Sequence, residues 1–430
     1  MTGLFQYSAP ATAVPLPAAR TGQNSGVLSF LVGAYAALLP YQVEVTHDMN
    51  FAVANCCLFL ILLLAPGQLR YRKPAWTVWH LAMILVFAIG TLVSALNTGY
   101  LSRYVFLNKD AGLMLLLLSY TAITSAAMEW QQVRHILRVF TIGVVSQNVV
   151  AVGAFLAAYF FGVDTPLTSY GGLRLSGLML DPNAYGGLLV LALVICEGAS
   201  WGPAPLFKGL PLLFCRLTLG LGILFTFSRS TWVSLALALL LLCIVRRQAA
   251  LRLALVGLIG APCLFLLMGR RFLQFFEGMA GRPEEGDTRF QLIHDALTEF
   301  ARHPLLGGGL GGFLSIEGTI AHNTTVWFLA DFGILGLIVL LGFLGSFFFR
   351  GWFAYQFAPD REKPVMLALL LAHTAMLGLS MGIEAFYQMH WWLIMALLGS
   401  GYSIVCRQSC QARDGRVSFV VRPQYVKETT

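Results

Sequence analysis

The chain has 430 residues, 57% of them hydrophobic and only 11% charged, with a net charge of +8 and a mean hydropathy of +0.73. Soluble domains carry about 25% charged residues, so a soluble globular protein is excluded. The apolar runs are mostly 17 to 24 residues long, which suits helices crossing a hydrocarbon core of about 30 Å and not the shorter strands of a barrel.

Residues 1–24, rich in Pro, Ala and Thr with a single Arg20, show no cleavable leader pattern and read as a cytoplasmic tail. Twelve spans follow, at about 25–42, 50–66, 76–96, 109–128, 139–162, 184–200, 209–227, 230–246, 250–268, 325–349, 365–387 and 390–406. The expectation is therefore an all-α integral membrane protein with one polytopic domain over 25–406 and a cytoplasmic tail over 407–430. With the N-terminus inside, 18 of the 28 Lys and Arg residues fall on inner segments, among them "RYRK" at Arg70, Arg72 and Lys73. Nine fall on outer segments, and Arg216, inside the seventh span, is expected to snorkel to the inner surface. The eight cysteines lie in apolar runs or the C-terminal tail and imply neither a disulfide framework nor a metal site.

The longest outer connection, about 269–324, is placed in the periplasm. Its "DTRFQLIHDALTEFARH" carries Phe290, Ile293, Leu297 and Phe300 on one stripe, the pattern of an amphipathic helix lying along the membrane surface. After it, "HPLLGGGLGGFL" has five glycines in six positions and cannot continue a helix.

Eight of the outer basic residues are arginines: Arg103, Arg174, Arg229, Arg270, Arg271, Arg282, Arg289 and Arg302. A guanidinium presents a planar fork of donors that matches phosphate oxygens. Arg174 lies in "YGGLRLSGLMLDPNAYGG", where Asp181 or Asn183 is suited to cap the next helix behind Pro182. Arg229 lies in the short turn "TFSRSTW", opposing the positive-inside trend. Each arginine also fits an interfacial anchor, and Arg229 an ion pair with Glu384. Arg270 and Arg271 fit lipid head groups, and His294 and His303 read as solvated loop residues. His322, in "AHNTTVWFLADFGILG", offers an imidazole able to accept a proton near neutral pH, and Asn323 or Thr324 can cap the helix behind it. Together these residues read as a base beside an anion hole, with Glu317 and Asp331 as other acids to consider. Walker A, H-E-x-x-H and G-x-S-x-G motifs are missing, as is an outer Asp-x-Asp pair for a divalent ion.

Four stretches in order, "RLSGLMLDPNAYG", "SRS", "TRFQLIHDALTEFARHPLLGGGLGGF", and "HN" followed after nine residues by "GILG", resemble the bacterial O-antigen ligase and O-antigen/exopolysaccharide polymerase superfamily. The resemblance covers about Arg174 to Gly336. It implies a GT-C-like bundle of about twelve helices in the bacterial inner membrane, working at the periplasmic face without metal or cofactor. The implied donor is a glycan on undecaprenyl diphosphate. The implied acceptor is a second carrier-linked glycan for a polymerase, the reading favoured here, or the lipid A core for a ligase. A flippase for the same lipid is the competing class. The resemblance makes His322 catalytic and Arg174, Arg229 and Arg289 diphosphate-binding; Asp181, Asn183, Glu317, Asn323, Asp331 and Glu384 are supporting candidates read from the residues themselves. Membrane lipids, and a chain-length regulator or export proteins, are the other partners implied; nucleic acid is not.

Overall fold

The computed structural model describes residues 26–46, 49–103, 105–169, 174–280, 283–319 and 321–413, the side chains of 43–51, 252–253, 256–257, 259–288 and 412–413 excepted. The tails, and the side chains of Arg270, Arg271 and Arg282, lie outside what is described. Thirteen α-helices are seen among the described residues. They are α1 Gly26–Leu38, α2 Ala54–Leu64, α3 Val78–Thr98, α4 Ala111–Ala126, α5 Trp130–Phe161, α6 Pro182–Gly198, α7 Gly209–Thr226, α8 Arg229–Ala280, α9 Pro283–Arg302, α10 Gly312–Glu317, α11 Thr324–Phe357, α12 Lys363–Leu379 and α13 Met389–Arg413. Two small antiparallel hairpins join α1 to α2 and precede α6, the second pairing Thr168–Ser169 with Arg174–Leu175.

The chain is an all-α membrane protein. The helices α3, α5, α7, α11, α13 and the first part of α8, Arg229–Leu251, are long and apolar enough to cross a bilayer, while α1, α2, α6 and α12 are shorter apolar helices. Length alone thus supports fewer spans than the twelve expected. The largest difference lies at 230–268, where two spans were expected and α8 runs through as one helix. The reason is local: "RRQAALRLAL" holds strong helix formers throughout and neither Gly nor Pro. Similarly α5 begins at Trp130, nine residues before the expected edge at 139, because "WQQVRHILR" is helical behind its cap at Glu129.

Burial sorts the helices. Nearly every residue of α6 and α12 is buried, the mark of a helix apolar on all sides at the centre of a bundle. These two pack on each other and on α8, and α11 packs on α3, α9, α12 and α13. Outward-facing apolar side chains on α3, α8 and α11, such as Leu96, Ile244 and Phe349, form the lipid-facing surface. Arg216, expected to snorkel, is bonded to Glu197 near the end of α6, with Nη2 to Oε2 at 2.8 Å.

The glycine-rich loop after α9 is folded into the bundle. In α11, Gly333 has φ +63 and ψ −160, a break in the helix about 14 Å from its start at 1.5 Å per residue. The amides of Ile334 and Leu335 reach the carbonyls of Pro304 at 2.9 Å and Leu305 at 3.4 Å, and the carbonyls of Ala330 and Asp331 accept from Gly308 at 2.8 Å and Gly309 at 3.0 Å. On its other side the loop meets α3, through Leu310 N to Gly90 O at 2.9 Å and Asn97 Nδ2 to Gly308 O at 3.1 Å. Asp331, a candidate acid in the sequence, is buried and spent on this join. It accepts from Gly311 N at 2.8 Å, Phe313 N at 3.1 Å and Trp327 Nε1 at 2.7 Å.

The α9 helix packs on the bundle through a face other than the apolar stripe. Leu292, Ala296 and Glu299 are buried, while Phe290 is 75% and Leu297 43% exposed. Of the predicted apolar stripe, Phe290 and Leu297 thus face away from the bundle, while Ile293 and Phe300 are half-buried.

The loop's glycines set a clear test. A Cβ at Gly309, where φ is +93, would lie 2.4 Å from the Ser94 amide nitrogen, whereas one at Gly312 meets nothing within 4 Å. Gly309→Ala is expected to cost about 2–4 kcal/mol through strain and overpacking, with Gly312→Ala close to neutral. Equal thermal unfolding midpoints for the two variants in detergent would remove the loop from the packed core.

Candidate active site

His322 lies one residue before the cap of α11. Asn323 is that cap: its Oδ1 accepts from the amides of Thr325 at 3.0 Å and Val326 at 3.1 Å, and its Nδ2 donates to Met381 O at 3.0 Å. Thr324 adds its amide to Ser380 O at 2.9 Å and its hydroxyl to Ile383 O at 3.1 Å, while accepting from the Ala385 amide at 2.8 Å. The start of α11 is thus sewn to the connection between α12 and α13, and Glu384 lies within the stitched segment.

Asp181 caps α6, accepting from the Asn183 amide at 2.9 Å and its Nδ2 at 3.0 Å. Asn183 Oδ1 in turn accepts from Arg174 Nη2 at 3.1 Å and Ser228 Oγ at 2.7 Å. Arg174 also donates Nε to Thr226 O at 2.9 Å and is only 4% exposed. The Ser228–Ser230 turn is wedged between two glycines: a Cβ at Gly186 would strike the Thr231 side chain, and one at Gly382 the Ser230 side chain. Arg229, inside the same turn, projects outward and is exposed.

The electrostatics centre on His322. Its burial and the nearby Arg289 guanidinium hold its pKa below the usual imidazole range, while Asp181 and Glu384 oppose them. Segments far apart in sequence, at 181, 289 and 384, are therefore near enough in the fold for their charges to act on the His322 imidazole. The backbone marks the same place. Among the described residues, the non-glycine residues with positive φ are Leu180 at +63, Phe227 at +47 and His322 at +49. Leu180 precedes Asp181, Phe227 precedes Ser228, and the third is the histidine itself. Such conformations cost of order 1–3 kcal/mol each and cluster at functional sites.

Two supporting residues take other places. Glu384 does not pair with Arg229; its carboxylate is bonded to Lys109. Glu317 is exposed and lines a separate hollow of about 90 Å3 with Asp295, Glu299 and Arg302. Lys109 is the residue that sequence reading missed. It sits on a wide helical turn, Val105–Asp110, with Nζ 4.6 Å from the Trp327 ring and 4.9 Å from that of Tyr387. A lysine at the edge of an apolar run reads as a topology marker, and only its fold-distant partner Glu384 reveals the buried pair. No group of three His, Cys, Asp or Glu able to hold a metal ion is formed among the described residues.

Fold and site together define a multi-pass helical membrane protein with a strained, charged site at one end of its bundle. Residues 214–341 match the family model described as O-Antigen ligase, which shows the resemblance to the O-antigen ligase and polymerase superfamily over that stretch. The matched stretch contains Arg229, Arg289 and His322, whereas Lys109, Arg174, Asp181 and Glu384 lie outside it. No curated protein matches the chain.

The electrostatic ring predicts opposite responses to two substitutions. Removing the Arg289 charge in Arg289→Gln should move the His322 titration upward, toward the ordinary value of about 6.5. Glu384→Gln should move it further down, because a stabilising negative charge is lost. Histidine NMR on labelled protein reads both, and a shift of the same sign in the two variants would dissolve the ring.

Proposed function

We propose that this chain is a membrane glycosyltransferase that moves a glycan from an undecaprenyl diphosphate carrier to a hydroxyl acceptor, with His322 as the general base. The observation that carries the reading is the place of His322: at the entry to α11, within the electrostatic reach of Arg289, Asp181 and Glu384, and in left-handed backbone like Leu180 and Phe227 of the site's two other turns.

In this reading the acceptor hydroxyl gives its proton to the neutral imidazole as its oxygen attacks the anomeric carbon. The bond from that carbon to the diphosphate oxygen breaks, and its electron pair leaves with the diphosphate. The new bond forms opposite the leaving group, so the anomeric configuration inverts. A depressed pKa keeps His322 neutral and ready to accept at neutral pH. Arg229 and Arg289 stabilise the charge growing on the diphosphate, the electrostatic contribution that dominates many such reactions. Arg174 acts from beneath, adding charge and fixing the Asn183–Ser228 shelf on which Arg229 is mounted. Asp181 and Glu384 contribute negative charge that favours the protonated imidazole once it has accepted the proton, with Lys109 bonded to Glu384. The arginines do the work a divalent ion would otherwise do, so the reaction is metal-independent.

The count of basic residues supports a site facing the periplasm from the inner membrane. The acceptor is read as a second carrier-linked glycan, making the enzyme a polysaccharide polymerase, on the closeness of its four motif stretches to exopolysaccharide polymerases. A strain lacking the gene checks this. Core carrying a single repeat unit supports polymerase, and unattached long chains on the carrier reassign the chain as a ligase for the lipid A core.

The base is tested by His322→Gln. An amide can replace a polar helix-entry residue but cannot accept a proton near neutral pH, so turnover should fall about 100- to 10,000-fold while carrier-linked donor still binds. Retention of more than roughly a tenth of wild-type turnover is too much for a lost base of that strength and would move the role elsewhere.

The anion hole is tested by lysine. Arg229→Lys and Arg289→Lys keep the charge but lose the planar fork, so both should slow transfer in excess EDTA, conditions under which the wild type stays active. Full activity of both lysine variants, or loss of wild-type turnover that magnesium restores, would defeat the arginine account.

A further inference from the structure

At the end of the bundle opposite His322, Arg134, Arg216 and Arg361 are paired with Glu362 and Glu197, but four other arginines are not. Arg70 and Arg72 lie in the connection between α2 and α3, Arg350 near the end of α11 and Arg407 in α13. Arg350 follows Thr324 by 26 residues, roughly 39 Å of helix at 1.5 Å per residue, so a membrane's thickness separates the two ends.

The partly buried Arg72 is the centre of this group. Its Nη2 donates to the sulfur of Met128 at 2.7 Å, a weak acceptor, and its Nε is buried without a hydrogen-bond partner. Burial, Arg407 and Arg70 all depress its ionisation. Arg350 is fixed alongside, donating to Ala75 O at 2.6 Å and Trp76 O at 3.1 Å, with its guanidinium 4.9 Å from the Tyr402 ring. None of these four arginines makes an ion pair among the described residues. The neighbouring acid, Glu129, is turned to the backbone at the first turn of α5.

A buried donor without an acceptor is costly, and like charges brought together add repulsion. An anion removes both costs at once. We infer that Arg70, Arg72, Arg350 and Arg407 form a binding site for the phosphate of an anionic lipid headgroup, between the α2–α3 connection, α11 and α13. The surroundings favour a lipid over free phosphate. Phe353, 41% exposed, packs on Tyr402 with ring centroids 5.5 Å apart, and Phe349 and Tyr71 are 73% and 71% exposed. These rings continue the lipid-facing surface of α11 up to the arginines, where acyl chains would lie. Basic pockets between membrane helices bind such head groups.

The test uses the full chain purified in neutral detergent, with phosphatidylglycerol, phosphatidylcholine and inorganic phosphate as probes. Native mass spectrometry and thermal unfolding should show phosphatidylglycerol binding and stabilising the wild type, with phosphatidylcholine inactive. Arg72→Gln with Arg407→Gln should weaken that binding roughly 25-fold, taking about fivefold for each arginine. The single exposed variant Arg407→Gln, read in parallel, reports the site even if the double variant folds poorly. Unchanged phosphatidylglycerol binding in Arg407→Gln and in the folded double variant would overturn the site. Equal stabilisation by inorganic phosphate, with no gain from phosphatidylglycerol, would overturn its assignment to a lipid.

Discussion

The site depends on a break in α11 that another part of the chain repairs. In hydrocarbon every backbone N–H and C=O must find a protein partner, because no water replaces it. At Gly333 the helix gives up the partners of Ala330, Asp331, Ile334 and Leu335, and residues 304–309 supply all four. The glycine loop is therefore held by an obligation and not by surface fit. Because that loop follows α9 directly, the same join ties α9, with Arg289 at its first turns, to the helix that His322 introduces. Asp331 then locks the far side of the loop with three accepted bonds. A carboxylate at that depth is otherwise expensive, and its full use by the loop argues against a separate proton-transfer role.

A second consequence is that strain is concentrated where the chemistry is proposed. The start of α11 is bonded to Ser380, Met381, Ile383 and Ala385, and the α6 cap is bonded through Asn183 to Ser228. Anchors on both sides of Leu180, Phe227 and His322 are what let those residues remain in left-handed backbone. Since the neighbouring helices are nearly all buried, relaxing one turn would disturb the packing of α6 and α12 at the centre of the bundle.

The candidate site residues were easier to pick out of the sequence than the helix boundaries. A histidine and several arginines on the side opposite the positive-inside trend are conspicuous because charge is rare in this chain, and the ring of Asp181, Arg289, His322 and Glu384 brings together residues that stood out one by one. The glycine loop was legible only as a helix breaker: nothing in "GGGLGG" says that each missing Cβ makes room for another backbone. The long α8 was hidden for the opposite reason, since its two apolar runs suggest two spans although no residue between them stops a helix. The surroundings of Asp331, Glu317 and Lys109, respectively the 311–313 backbone, a hollow beside α9, and Glu384, were not legible because tertiary contact alone fixes them.

The two ends of the bundle use arginine in contrasting ways. Around His322, positive charge alternates with Asp181 and Glu384, so a bound diphosphate would be opposed as well as attracted. Such balance suits a site that must release its leaving group after each transfer, because uniformly tight binding lowers KM without raising kcat. At the other end, Arg134, Arg216 and Arg361 are paired with Glu362 and Glu197, but Arg70, Arg72, Arg350 and Arg407 have no paired acid among the described residues, and an anion between those four meets attraction. That arrangement suits a ligand that stays. Residence and turnover thus place opposite demands on the same side chain, and the positions of a few carboxylates separate them.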